Sequence, residues 1–496
     1  MRLMFDRDLL DLFELIRTEN HTGELVYLVG GAVRDLFSDS QIHDMDFVLG
    51  ENPTLLAKRL AKRLRAGFFV LDDERHTARV VYYDQTGQFF PLDFVQFTGS
   101  SLEEDLRNRD FTINAIALSL DDLTQVIDPL HGLADLKAGC LRPCSDHALV
   151  DDPVRVLRGA RLAVQFDMGL ATGLEAAMQA AAFYLPKTSY ERQRDEFFRI
   201  LGGPDPAKGL RFCKAFKVFH TMIPTLVEKK SSMPVSPGQF SCVDHAIQTV
   251  ENLHCIINGL GSGQQAINEM NWQIEDALRE LSKFSNQMAS YFTEVITPGR
   301  SKAALAYFST LLQDIGYSMT LSEEVDLELN GTGRSMVSAD LAWVMAKRLQ
   351  LSNAESDWVR KLVCHRKTVQ TLMQVDLPVD RRTLYRFFKK VGDVGVALAV
   401  HLLAETMAYD GSTLTAKRWE KAFSIVRSML SAWWDHQDKI ISPTPLLNGD
   451  DLQRVFGLEP GKRIGHLLSQ LVEEQASGNI NTPKEAEKFI QGILFR

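Results

Sequence analysis

Hydrophobic and polar positions change period along this chain. Residues 25–31, LVYLVGG, form an apolar run of β-formers ending on two glycines and predict a strand. The following AVRDLF predicts a helix start, and MDFVL at 45–49 a second strand. LLAKRLAKRLR, residues 55–65, reads as an amphipathic helix with a basic face. FFVL, ARVVYY and FFPLDFVQF predict three more strands before residue 98. From about Asp151 onward such runs vanish and apolar residues recur at three and four, the helical period. Breaks fall at Gly202-Gly203-Pro204, at 231–238, at Asn330-Gly331-Thr332-Gly333 and at Ser442-Pro443-Thr444-Pro445. The expected fold is α+β: a sheet-containing head over 1–140, a helical neck over 141–230, a helical body over 231–400 and a helical tail over 401–496.

Bulk properties narrow the class. With 496 residues the chain exceeds one compact core. At 45% apolar and 24% charged it is ordinary for a globular protein. No apolar run approaches the ~18–20 residues that span a bilayer. The N-terminal MRLMFDRDLLDLFELIRTE has helical spacing and no cleavage site, so a cytoplasmic protein is expected. Six scattered cysteines predict reduced thiols; Cys140 and Cys144 lack a second pair at zinc spacing. The net charge of −9 argues against a nucleic-acid partner until it is divided along the chain. Residues 1–140 carry 14 Lys/Arg against 24 Asp/Glu, whereas residues 141–230 carry 14 against 10. An acidic head suited to metal therefore precedes a basic segment suited to phosphates.

Candidate chemistry sits in the head. Asp44 and Asp46 flank one residue at a strand start, and i, i+2 side chains of a strand share a face. Two same-side carboxylates are unfavourable without a cation, and Mg²⁺ takes such oxygens together with substrate phosphates. Gly30 and Gly31 allow close backbone approach, and the helix opening behind them presents free N–H groups, so the turn suits a triphosphate, with Arg34 beside it. The same residues would also serve a tight turn closed by a surface ion pair. Two-metal phosphoryl transfer calls for a third carboxylate. Asp93 is the candidate, because a carboxylate on a largely apolar strand needs a partner.

These residues carry a resemblance. Leu28-Val29-Gly30-Gly31-Ala32-Val33-Arg34-Asp35 followed by His43-Asp44-Met45-Asp46 resembles the bacterial tRNA nucleotidyltransferase and poly(A) polymerase family, in its class II, polymerase β-like branch. The resemblance implies a small polymerase β-like palm, two Mg²⁺ ions, tRNA, CTP and ATP as partners, and no membrane. Arg109-Asp110-Phe111-Thr112-Ile113-Asn114-Ala115 looks like the family's ribose-contacting motif, which makes Arg109, Asp110 and Asn114 candidates. The family usually has a second Arg just before; this chain has Asn108. Ile127-Asp128-Pro129 and Gly132-Leu133-Ala134-Asp135-Leu136 match its linker into the neck.

Asp151-Asp152-Pro153-Val154-Arg155-Val156-Leu157-Arg158 begins with helix-start signals, and 152, 155 and 158 share a face. A capped helix with a salt-bridged surface would read the same way. The segment also resembles the family's amino-acid template, with Asp152 and Arg155 as base readers, Asp151 in the place of a Glu, and Arg158 in support. A carboxylate accepts from the amino group of cytosine or adenine and a guanidinium donates to the ring nitrogen. Uracil and guanine present the reverse, and each buried mismatch costs about 1–3 kcal/mol. Thr188 to Glu196 resembles the neck helix, in which one of Arg192 and Arg194 is expected to pair with an acid and the other to face RNA.

Residues 240–370 resemble a decayed HD phosphohydrolase domain. Asp244-His245 stands at the first His position, Gln313-Asp314 replaces the His-Asp pair, Tyr317 and Arg334 replace a Lys and a His, and His365 remains. Gln is a poor metal ligand beside imidazole, so an inert helical scaffold is expected. The tail, with Gly461-Lys462-Arg463 before a helix, resembles the family's C-terminal module. Three activities share this head: addition of CC, of CCA, or of A, the last either once to tRNA or repeatedly to RNA. Relatives that switch from C to A carry a longer flexible loop after the third carboxylate. Residues 94–101 are short here, which favours CC addition, with CCA next, then A addition or poly(A) synthesis, and a non-catalytic RNA-binding relative last.

Overall fold

The structure is a computed structural model that describes residues 5, 7–38, 42, 44–74, 76–83, 87, 89–227, 242–261, 272–316 and 332–495. The chain divides into two compact units, Met1–Ser189 with Phe212–Thr221, and Tyr190–Arg211 with Met222–Arg496. The predicted breaks at 231–238 and at Asn330-Gly331, and Tyr317, lie outside the described residues, as does the side chain of Arg334.

The first unit is built on one mixed sheet. Its strands are β1 (Tyr27–Val29), β2 (Met45–Leu49), β3 (Gly67–Asp72), β4 (Thr77–Tyr83), β5 (Phe89–Gln96), β6 (Ala117–Ser119) and β7 (Val126–Ile127), in the order β3-β4-β5-β2-β1-β6-β7. β2 and β5 run parallel; the other neighbours are antiparallel. One face is apolar at alternate positions: Leu28, Phe47, Ala78, Val80, Leu92 and Phe94 are buried there. Helix Arg7–Glu19 lays Leu12, Phe13 and Ile16 on it, and helix Pro53–Leu64 lays Leu56, Ala57, Leu60 and Ala61. Those are the i, i+3, i+4 positions that the sequence marks. Phe47 stacks on Phe94 at 5.0 Å. The other face has a smaller apolar patch, Val29, Val48, Leu102, Leu106, Ala115 and Ala117, under the short helix Leu102–Arg107. That thinly covered face carries the charges described below. Strands β6 and β7 escape the sequence pattern because two or three residues are too few to show alternation.

One predicted boundary moves. The pattern opens a helix at Asp151-Asp152-Pro153, but Asp151 closes the short helix Ala148–Asp151, and the long helix is Arg155–Gln165. Asp152 between them is extended, with φ −139° and ψ 91°. The cause is local: a residue before proline is driven out of the α region. This extended hinge separates Asp151, which is exposed, from Asp152, which is partly buried.

The second unit is helical apart from the strand pair Val295–Thr297 and Arg300–Ser301 among the described residues. Helix Val394–Asp410 is buried along most of its length and carries His401 and Glu405 inward. They meet a buried polar cluster. Arg366 donates to Asp314 at 2.7 Å and to Glu405 at 3.0 Å, and the His401 Nε2 edge lies 2.9 Å from the Gln313 amide oxygen. His245 lies buried facing Tyr409. Burial drives the His401 imidazole down to about 4, so it stays neutral. A guanidinium thus balances the two carboxylates at the place where the sequence resembles a metal-binding centre. Within the neck helix Tyr190–Leu201, Arg194 pairs with Asp195 at 2.8 Å. A separate small core of Leu447, Leu452, Ile464, Leu467, Leu471 and Ile490 holds the tail, where Gly461 caps helix Lys462–Ala476.

Replacing Arg366 by Leu takes the guanidinium away from two buried carboxylates. Such losses cost about 3–5 kcal/mol. Urea unfolding of Arg366→Leu is expected to show a drop of that size, and a loss below about 1 kcal/mol would mean that the cluster relaxes without its cation.

Candidate active site

Backbone register brings three charged side chains into one row. On the parallel pair β2 and β5, Asp46 stands opposite Asp93; on the antiparallel pair β5 and β4, Asp93 stands opposite Arg79. Residues in register share a face. The row across the sheet is therefore Asp46, Asp93, Arg79, on the thinly covered side. Asp44 stands exposed just before β2. Both oxygens of Asp93 are held by Arg79, at 2.7 Å from Nε and 2.7 Å from Nη2. The partner that Asp93 requires on an apolar strand is thus an arginine in this structure.

Among the described residues no cation bonds Asp46 in this way. Burial, then the negative charge of Asp44 and to a lesser degree that of Asp93, push its carboxyl up to about 6, against the opposing pull of Arg109 and Arg79. Like charges this close resist ionisation unless a cation joins them. The donor set therefore fits a hard divalent ion at Asp44 and Asp46. Among the described residues no three acidic, His or Cys side chains are already gathered to hold a metal, because Asp93 is turned to Arg79.

The glycine turn packs against this edge. Gly30 has φ +73° and ψ −135°, backbone that only glycine adopts readily. A Cβ there would stand 3.1 Å from Arg109 Nη1 and 3.7 Å from an Asp46 oxygen. Gly31 opens the helix Gly31–Phe37. Arg109 bridges from this turn to Asp105, at 3.1 Å, and Asp105 in turn accepts from the Thr98 N–H and hydroxyl.

Arg34 departs from its expected place. Rather than standing free for a triphosphate, it is 6% exposed. It donates twice to Asp35, at 2.9 and 2.7 Å, and to Asn114 Oδ1 at 2.5 Å, and its guanidinium lies 4.2 Å over the Phe166 ring. The aromatic face and the two partners explain the burial: they desolvate the charge without leaving it alone. Asp110 and Asn114, expected at the ribose, continue inward. Asn114 Nδ2 donates to Asp110, which also accepts from the Phe111 N–H and from Arg158 at 3.1 Å. Burial would raise the Asp110 carboxyl, but Arg158 and these hydrogen bonds outweigh it and hold it below the usual carboxylate range. Asp110 is a buried clamp. The chain Arg34, Asn114, Asp110, Arg158 ties the glycine turn to the helix Arg155–Gln165.

Arg155 sits at the start of that helix. Its Nη1 donates to the carbonyls of Arg109 and Ala148, at 3.1 and 3.0 Å, and its Nη2 to that of Asn108 at 2.8 Å. Nε lies 3.8 Å from Asp152. Three of five guanidinium N–H donors are thereby used, which fixes the plane and leaves Nε on the side of the Asp152 carboxylate. Gly159 lets this helix approach Phe111 closely: a Cβ there would fall 2.9 Å from its ring. Sequence reading missed Arg79, Asp105 and the backbone carbonyls around Arg155. Strand parity in the β4–β5 hairpin carried the one usable signal, for Arg79. The six cysteines are free thiols; burial, with the Asp110 charge beside it, pushes Cys144 up to about 12.

Residues 26–142 match the Poly A polymerase head domain, residues 167–229 the probable RNA and SrmB-binding site of polymerase A, and residues 340–488 the putative tRNA nucleotidyltransferase domain 2. An A-adding tRNA nucleotidyltransferase of Deinococcus radiodurans is 29% identical over 94% of this chain and 94% of its own. A CC-adding tRNA nucleotidyltransferase of Geobacter sulfurreducens is 28% identical over 95% of this chain and 92% of its own. A CCA-adding enzyme of Latilactobacillus sakei is 33% identical, but over 37% of this chain and 48% of its own. Among solved structures, a CCA-adding enzyme in complex with ATP shares the fold at TM-score 0.65 and 23% identity, covering 99% of this chain and 96% of that one.

Two outcomes follow from the geometry. Asp46 is raised, so its contribution to stability is present below its unfolded value of 3.8 and is lost as pH rises through about 6. In chelator, Asp46→Asn is therefore expected to gain about 1–3 kcal/mol over the unaltered chain between pH 5 and 7.5. Thermal denaturation of the pair across that range measures the difference; a gap that does not widen with pH would contradict the like-charge picture. Gly30→Ala should destabilise by about 1–3 kcal/mol and displace Arg109, read by denaturant unfolding, whereas an unchanged midpoint would remove the strain argument.

Proposed function

Because the chain belongs to the bacterial tRNA nucleotidyltransferase and poly(A) polymerase family, we infer that it adds cytidylates to the 3′ end of tRNA and stops after two. It is an enzyme that extends tRNA without a nucleic-acid template. Nucleotidyltransferases of this kind use divalent metals, and we assign Mg²⁺ to Asp44, Asp46 and Asp93. When bound, the metal lowers the pKa of the attacking 3′-hydroxyl and neutralises the triphosphate. The residues of the chain do the rest. Gly30 and Gly31 bring backbone close to the phosphates, Arg109 faces the nucleotide from the Asp105 side, and Asp110 and Asn114 hold that segment in place. Arg34 acts from within the same network, not as a free phosphate ligand.

Asp152 and Arg155 read the base. Asp152 accepts from the exocyclic amino group, and Arg155 donates to the ring nitrogen with the donors that its three carbonyl partners leave over. Arg158 supports that helix through Asp110, and Asp151 stands at its solvent side. We keep the division into head, neck, body and tail at 140, 230 and 400 as the functional one, with the tail as a tRNA-binding module and the body inert. The free thiols and a tRNA substrate fit a cytoplasmic enzyme. No single helix among the described residues is long and apolar enough to cross a membrane.

The stop after CC rests on one observation. The connection from β5 to helix Leu102–Arg107 is short and pinned along its length. Thr98 donates twice to Asp105, at 2.9 and 3.0 Å, Ser100 donates twice to Glu104, at 2.8 and 3.0 Å, and Ser101 caps the helix. A segment held this way lacks the slack to rearrange between a C-accepting and an A-accepting pocket. The full-length similarity to enzymes of single specificity supports the same reading, and the Deinococcus relative favours A addition as the second.

Incubating tRNA that lacks its 3′ terminus with CTP, with ATP and with both, then sequencing the products, tests this. Two added C residues in either CTP reaction, with no A, are expected. CCA from the mixture, or A added only to tRNA ending in CC, would overturn the CC assignment.

A further inference from the structure

We propose that Arg79 is a positioning residue that holds Asp93 in the metal-free enzyme and competes with the divalent cation for that carboxylate. This rests on the metal assignment above and deepens it. The competition follows from occupancy. Both Asp93 oxygens accept from Arg79 at 2.7 Å, so an ion that coordinates Asp93 must take at least one of them from the guanidinium. Register makes the exchange local. Arg79, Asp93 and Asp46 stand side by side on three adjacent strands, so Asp93 turns from one neighbour to the other without backbone movement.

Exposure favours Arg79 as the mobile partner. The Arg79 side chain is 39% exposed and that of Asp93 18%. A released guanidinium gains water, whereas a released, unpaired Asp93 would stay partly buried beside Asp46. The pair is also unequal in purpose. A bidentate guanidinium fixes the carboxylate plane, so Asp93 is presented along the row before any metal arrives. Without Arg79, three carboxylates would face one another with Arg109 left as a cation acting on Asp46. The guanidinium therefore keeps the row folded, and the divalent ion takes over that work when it binds.

The test is Mn²⁺ binding to the full chain without nucleotide, by calorimetry, together with thermal denaturation in chelator and in Mn²⁺. Partly exposed charge-assisted pairs are worth about tenfold in competition. Arg79→Gln is expected to bind Mn²⁺ about tenfold tighter and to melt lower in chelator. Arg79→Lys, which keeps the charge but not the paired hydrogen bonds, should fall between, and serves alone if the Gln variant does not fold in chelator. In an Asp93→Asn background the effect of Arg79→Gln on affinity should shrink to about twofold or less, because no shared carboxylate remains. Unchanged or weaker Mn²⁺ binding in folded Arg79→Gln would overturn the proposal. So would a tenfold effect that persists with Asp93→Asn, since that is general charge removal. If the unaltered chain binds no Mn²⁺ and Asp46→Asn behaves identically, the metal assignment itself falls, a separate failure from Mn²⁺ binding that ignores Arg79.

Discussion

Like charges held side by side are the constraint on which this head depends. The sheet places Asp46 beside Asp93 by register and Asp44 two residues before, on the face that the apolar core does not use. Nothing in hydrophobic packing requires those carboxylates, and burial with mutual repulsion raises Asp46 to about 6. Every neighbouring feature manages that cost. Arg79 neutralises Asp93 from one side, Arg109 approaches Asp46 from the other, and Gly30 removes the side chain that would keep Arg109 away. Local rules are broken together at one edge while the opposite face obeys them, the arrangement expected of a site selected for function.

From that edge a polar chain runs to the helix Arg155–Gln165. Arg34, Asn114, Asp110 and Arg158 are joined by successive hydrogen bonds, and Arg155 is fixed by the carbonyls of Asn108 and Arg109. The stretch of backbone that carries Arg109 thus also orients Arg155. On the proposed reading, selection of the base and placement of the phosphates share this stretch of backbone. Such coupling suits an enzyme with no template strand, since the protein alone must align base and triphosphate. The short capped turn after β5 belongs to the same economy of motion.

Much of this was legible in the sequence. Apolar runs of β-formers marked β1 to β5, period-three-and-four spacing marked the helices on the core face, and the glycine pair, Asp44 and Asp46 were singled out as the candidate site. What escaped depended on partners distant in sequence. Arg79 became significant only when the β4–β5 register set it against Asp93. Arg34 looked like a surface cation because its sequence neighbours do not announce Phe166. The anchoring of Arg155 escaped because its partners are backbone carbonyls, which no residue pattern encodes. Arg366 follows His365, the residue that the sequence comparison emphasised, yet it is Arg366 that pairs with Asp314 and Glu405. Proline chemistry at Asp152-Pro153 was visible but was read as a helix start, not as the extended residue it enforces.

The central claim is that the carboxylate pair performs the transfer and does not merely shape the head. The most direct measurement is incorporation of labelled CMP into tRNA by Asp46→Asn, taken alongside tRNA binding by the same protein. Loss of the metal-held charge should lower incorporation by about a thousandfold or more, with tRNA affinity within a few-fold of the unaltered chain. Incorporation near the unaltered rate would contradict the account.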